Sequence, residues 1–185
     1  MTAQILLLRG INVGSHAPFP MDRQQEVMRG LGHQDVTVHL RTGNIVLHAP
    51  ATPPAETARS AAEGIAAELG FPVPVLVRTR DELAAVVAAN PYPQATTEPS
   101  TLHVVFLSEA PADTARLDAI DPAAHAPDRF RLIGREVYLW CPGGIGRSRL
   151  AAKITGIRLP GVTATARNWN TVTRLLALAD RDRSA

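Results

Sequence analysis

"ILLLRGINVGS", residues 5–15, decides the fold. Four aliphatic residues follow one another without alternation, which suits a strand covered on both faces. The run then stops on Arg9. Gly10 and Gly14 allow the following loop to turn its N–H groups inward, with Arg9 and Asn12 as polar donors. Ile11 and Val13 are expected to bury and so to order the loop. Such a strand end is either the mouth of an anion site or a tight turn without chemistry.

The elements that follow supply the partners of that strand. Asp22 reads as a helix N-cap, with Gln25 three residues later completing a capping box. Val27, Met28 and Leu31 form the apolar stripe, and Gly32 ends the helix. "VTVHL" and "NIVLH" flank Arg41-Thr42-Gly43 as a hairpin. A two-residue Thr42-Gly43 loop sets Leu40 opposite Ile45 and Val38 opposite Leu47 on the core face. Thr37, His39, Arg41, Asn44 and His48 then share the other face. After the proline-rich "APATPP", Ala58, Ala61, Ala62, Ile65, Ala66 and Leu69 keep helical spacing up to Gly70. "VPVLV" from Val73 is another strand, which Pro74 assigns to an edge. The order is βαββαβ, a ferredoxin-like sandwich with two helices on one side of a sheet.

Thr79 and Glu82 form a further capping box, and Leu83, Val86 and Val87 are the stripe of a helix stopped at Asn90-Pro91. "NPYPQATTEP" reads as a boundary. Three segments result: 1–80 as the ferredoxin-like half, 81–100 as connecting helix and linker, and 101–185 as a second α+β half. That second half runs strand ("LHVVFL"), helix (about 112–119), hairpin, helix (about 147–156) and terminal helix (about 169–180). A Gly134-Arg135 turn puts Phe130, Leu132, Val137 and Leu139 on the core face. Arg129, Arg131, Tyr138 and Trp140 share the opposite one. The fold class is therefore α+β, a ferredoxin-like half followed by a second, related α/β sandwich half. The tail "RDRSA" is expected to fray.

Composition restricts the function. The 185 residues are 45% hydrophobic and 19% charged, as in ordinary globular proteins, and the net charge is only +2. The chain is not a polycation that coats nucleic acid. No apolar run reaches the ~20 residues of a membrane span, and Met1–Gln4 lacks the cationic region of a secretory signal. A lone cysteine, Cys141, excludes an internal disulfide and a multi-cysteine metal site. A cytoplasmic protein without a membrane partner is expected. The stretch between Glu136 and Asp180 has no acidic residue but holds Arg147, Arg149, Lys153, Arg158, Arg167 and Arg174.

Three stretches concentrate polar chemistry. In "CPGGIGRSRL", residues 141–150, a strand ends, glycines allow a tight turn and a helix begins near Arg147. Unpaired N–H groups, the helix dipole, Arg147 and Ser148 would favour an anion. This is not a P-loop: Cys141 stands at the first glycine position and Arg147 replaces the lysine. In "TARNWNTV", residues 165–172, Asn168 or Asn170 caps the last helix and Trp169 packs. Capping leaves Arg167 and the second asparagine over. The third stretch is the first loop. The six histidines show no ligand spacing, so no metal is called. Cys141 has no adjacent base, and Ser148 lacks a nucleophile elbow.

Read together, "LLRGINVG", "RTGNIV", "NPYP", "VVFL", "YLWCPGGIGRSRL" and "TARNWNTV" resemble, in their order, the bacterial family called domain of unknown function 1697. The resemblance extends over nearly the whole chain. It implies a cytoplasmic, ferredoxin-like α+β protein, and brings no catalytic residue with it. Members often carry lysine and Gly-Gly in the first loop, where this chain has Ser15-His16-Ala17-Pro18. Thr42-Gly43-Asn44 stands where Ser-Gly-Asn is frequent.

Three functions fit these residues. The first is binding of a small phosphorylated or carboxylated ligand between the halves, lined by Arg9, Asn12, Arg41, Asn44, Arg147, Ser148, Arg167, Asn168 and Asn170. No general base stands out, so whether the chain is an enzyme stays open, and no cofactor is called. The second is a structural or homo-oligomeric module in which the polar faces bury each other. The third is RNA binding, with Tyr138 and Trp140 stacking on bases beside Arg129 and Arg131 on an open sheet face.

Overall fold

The computed structural model describes residues 2–13, 18–33, 35–49 and 52–181. Gly14, the Ser15–Ala17 stretch and most of the terminal tail lie outside them. The protein is α+β, with two four-stranded antiparallel sheets and six α-helices among the described residues. It divides into two compact units, Met1–Ala85 with Arg174–Ala185, and Val86–Thr173.

The first unit is built on β1 (Thr2–Leu8), which pairs with β3 (Asn44–Ala49) on one side and β4 (Val75–Thr79) on the other. β2 (Val36–Val38) extends the sheet to the order β2-β3-β1-β4. Leu6 and Leu8 join Ile45, Leu47, Val77, Met28 and Ile65 in one core cluster, with α1 (Met21–Gly30) and α2 (Pro54–Leu69) on that face. Ile5 and Leu7, paired with Val46 and Leu76, are equally buried on the other face. That explains the unbroken aliphatic run, since every position has an interior to enter. β4 lies at an edge, as Pro74 requires.

Two local expectations need correction. Asp22 is not the N-cap of α1; Pro20 is, without a side-chain cap, and Asp22 sits in the first turn with its carboxylate on the Arg23 N–H. The hairpin loop is longer than two residues. Val38, not Leu40, pairs with Ile45, and Val36 pairs with Leu47. The Asn44 side chain explains the change: its Nδ2 donates to the His39 carbonyl at 2.9 Å, while the His39 N–H donates back to the Asn44 carbonyl at 2.8 Å. The hairpin closes around residues 39–44, and Leu40 leaves the sheet with φ 63° and 47% exposure. A shift of two residues preserves side-chain parity, so Val38, Ile45 and Leu47 keep the face assigned to them.

The second unit repeats the plan. β5 (Leu102–Leu107) is central, β6 (Arg129–Ile133) and β7 (Glu136–Trp140) form the hairpin, and the order is β6-β7-β5-β8. The register Leu132–Val137 and Phe130–Leu139 is the expected one, closed by Gly134 at φ 60°. β8 (Ala164–Asn168) is absent from the sequence reading. The helices are α4 (Ala115–Asp118), α5 (Arg149–Gly156) and α6 (Trp169–Ala179), and α3 (Arg80–Ala88) follows β4. In chain order the element sequence βαββαβα thus occurs twice, with α3 and α6 each divided between the two units. Thr79 and Glu82 cap α3 reciprocally, at 2.8 and 3.1 Å.

Among the described glycines of the first unit, Gly43 has the least room for a side chain. A Cβ there would lie 2.5 Å from Leu8 Cβ and 2.9 Å from Ile11 Cδ1, at φ +81°. Gly70 has a similar φ of +78° and open space around it. We predict that Gly43→Ala destabilises the protein by about 2–4 kcal/mol in urea unfolding and Gly70→Ala by only about 1 kcal/mol. Equal losses would mean that conformation, not close approach, selects glycine at position 43.

Candidate functional site

The loop after β1 and the β2–β3 hairpin form one corner of the first unit. Leu8 N–H donates to the Gly43 carbonyl at 2.9 Å, and Arg9 N–H to the Pro74 carbonyl at 3.0 Å. Asn12, left-handed at φ 54°, holds the corner together. Its Nδ2 donates to the Phe19 carbonyl at 2.9 Å and to the Arg41 carbonyl, and its Oδ1 accepts the Phe19 N–H at 2.7 Å. One amide thus joins the two loops and the buried Phe19. Asn44 is fully buried, with Nδ2 also 3.1 Å from Thr42 Oγ1. Both asparagines position backbone, and the exposed guanidinium groups of Arg9 and Arg41 are carried by the segments they hold.

Asn12 and Leu40 are the non-glycine residues with positive φ among those described, and both belong to this corner. Such backbone clusters at functional sites because it costs stability that packing alone does not repay. Val13 is 56% exposed rather than buried. No sequence motif marks His39 or Arg174. His39 is half-buried, and burial together with the nearby Arg174 cation lowers its pKa. Arg174 comes from α6, 135 positions along the chain (174 minus 39), so no local pattern could have shown it beside His39.

In the second unit, the glycine turn is largely self-satisfied. Gly144, at φ 90°, donates to the Cys141 carbonyl at 2.8 Å, and the N–H groups of Arg147 and Ser148 bond to Gly144 and Ile145 carbonyls at 3.3 and 3.2 Å. Ser148 is the N-cap of α5, its Oγ accepting the Ala151 N–H at 2.8 Å. The helix therefore begins at Arg149, two residues later than expected, and the Arg147 side chain is exposed. Desolvation raises the pKa of buried Cys141, despite a hydrogen bond with Ser148 that lowers it, so its thiol is an interior group.

Arg167 is only 7% exposed, on β8 opposite Val104. It donates to Thr165 Oγ1 at 2.7 Å and the Ala166 carbonyl at 2.8 Å. Burial pushes its pKa down to about 10. Asn168 accepts the Asn170 N–H at 3.0 Å, opening α6, and its Nδ2 lies 3.2 Å from the Ser100 carbonyl and 3.4 Å from His103 Nε2. Asn170 is exposed. Among the described residues, no three His, Cys, Asp or Glu side chains converge as a metal would need. Tyr138 does not face solvent: it is 1% exposed, and its hydroxyl donates to the Val86 carbonyl at 2.7 Å.

A family described as "Protein of unknown function (DUF1697)" matches residues 1–138, three quarters of the chain. The chain belongs to that family. It is also similar to the solved structure of the conserved bacterial protein SP0830 from Streptococcus pneumoniae, with a TM-score of 0.77 and 15% identity. That alignment covers 98% of this chain and 99% of the other, and shows a shared fold. No curated protein matches the chain.

The corner around Asn12 falls inside the part matched by the DUF1697 family, whereas the glycine turn and Arg167–Asn170 lie beyond it. No described helix of this DUF1697 protein is long and apolar enough to cross a membrane.

Asn12→Ala strands the Phe19 N–H and two carbonyls and places alanine at positive φ, which costs about 2–4 kcal/mol in chemical unfolding. A loss below about 0.5 kcal/mol would remove Asn12 as the clasp. His103 carries the pH prediction. Burial lowers its pKa, and its Nδ1 is buried without a hydrogen-bond partner. The unfolded chain therefore binds the extra proton first, and stability present above about pH 6.5 is lost as pH falls. His103→Leu is expected to flatten part of this loss between about pH 6.5 and 5, measured as urea midpoints. An unchanged slope would assign the loss to other groups.

Proposed function

We propose that this protein binds a small phosphorylated or carboxylated ligand at the Arg9–Arg41 corner of its first unit. The observation that carries this reading is the Asn12 clasp. It fixes the backbones of two cation-bearing loops against each other, so that neither arginine's anchor needs to be ordered when an anion arrives. The sequence around the corner agrees: no acidic residue occurs from Met1 to Met21 or from Val36 to Ala55. The guanidinium groups would hold oxyanion oxygens by charge-assisted hydrogen bonds. His39, uncharged at neutral pH because its pKa is lowered, is the nearby group able to accept a proton. The proposed setting is the cytoplasm, where the buried Cys141 thiol stays reduced.

Calorimetric titration with pyrophosphate tests the reading. Arg9→Ala and Arg41→Ala are each expected to weaken binding by about 10–100-fold, with unchanged melting temperature because both side chains are exposed. Binding that survives both substitutions, or that only Arg147→Ala abolishes, would overturn it.

A further inference from the structure

The Tyr138–Trp140 face of the second sheet is covered at its centre and open at its rim. Tyr138 is held beneath the Val86 carbonyl of α3. Toward the edge, Trp140 is half-buried, and the Tyr92 ring packs against it with centroids 5.8 Å apart and planes tilted by 34°. β6 is the edge strand of its sheet. Arg129 pairs with Trp140 and Arg131 with Tyr138, so both guanidinium groups rise from the face that carries the indole. Both are exposed, and both lie near enough to the Tyr92 hydroxyl to act on it electrostatically. Of the neighbouring acids, Glu136 shares this face of β7 and acts on Tyr138. Asp128 acts on Cys141, on the helix-covered side of the sheet, and Glu136 is 9% exposed.

We propose that this rim binds single-stranded nucleic acid, one base stacking on Trp140 over Tyr92 and adjacent phosphates on Arg129 and Arg131. Alternate residues of a strand are about 6.6 Å apart, close to the step between successive phosphates of an extended strand. The indole supplies a sequence-tolerant stacking surface. An α-helix over the sheet centre excludes the broad, multi-base platform, so the contact is short and runs along β6. The site is separate in sequence and in its residues from the Arg9–Arg41 corner.

Trp140 also provides the readout, because the other indole, Trp169, is buried. Titration of the full chain with oligouridylate is expected to quench tryptophan fluorescence. For two phosphate contacts, the logarithm of the affinity should fall against that of salt concentration with a slope of about −1.4. Trp140→Phe should abolish the quenching and weaken binding measured by anisotropy of labelled RNA by about tenfold. Joint Arg129→Ala and Arg131→Ala should remove most of the salt slope with the fold intact, and Arg41→Ala should change neither quantity. Absence of quenching, an unaltered slope in the double variant, or equal affinity for double-stranded RNA would overturn the proposal. So would quenching by an aromatic, glutamate-rich peptide but not by RNA.

Discussion

One side-chain amide organises the end of the first unit. Asn12 bonds to both backbone groups of Phe19 and to the Arg41 carbonyl, tying its own loop to partners 7 and 29 residues away in sequence. An amide suits this role because it donates and accepts within one plane and carries no charge to desolvate. The left-handed backbone at Asn12 is tolerable for the same residue type. Glycine at position 43 completes the arrangement, since its carbonyl meets the Leu8 N–H where a Cβ would collide with Leu8. The end of β1, the first loop and the hairpin are therefore a single construction, and the exposed arginines are its solvent-facing part.

The two units solve the same packing problem twice. In each, a central strand without polar alternation is covered on both faces, and the last strand carries an almost fully buried arginine, Arg78 in one and Arg167 in the other. Their register positions correspond: Arg78 pairs with Ile5 of the central strand, Arg167 with Val104. Helix caps follow both at the next residue, Thr79 and Asn168. Repetition of an expensive feature, a buried cation, at matching positions indicates that it belongs to the architecture. The Arg167 guanidinium, offered by the sequence as a ligand contact, is accordingly occupied with protein groups.

The legible parts of the fold were those with strong local signals. The Ile5–Leu8 run, the Thr79–Glu82 box and the Gly134 turn each specify their own geometry within a few residues. What failed depended on competition between near neighbours or on pairing with a distant strand. Leu40 left the sheet because Asn44 reaches back to His39, and Asp22 lost the cap to Pro20. β8 was missed because "ATARN" has few β-branched or large apolar residues, and only pairing with β5 makes it a strand. Within the candidate site, residue types marked polar loop ends but did not show which side chains hold backbone. Asn12, Asn44, Ser148 and Asn168 all bond to backbone, and Arg174 entered through tertiary structure alone.

The account stands on the corner held by Asn12 being an anion site as well as a structural joint. Two-dimensional nitrogen–proton NMR during titration with pyrophosphate tests that directly, because each backbone N–H and the Asn12 side-chain amide report separately. The account predicts saturable shifts confined to residues 9–13 and 39–44, together with Arg174. Shifts centred on residues 143–149 instead, or none at saturating pyrophosphate, would contradict it.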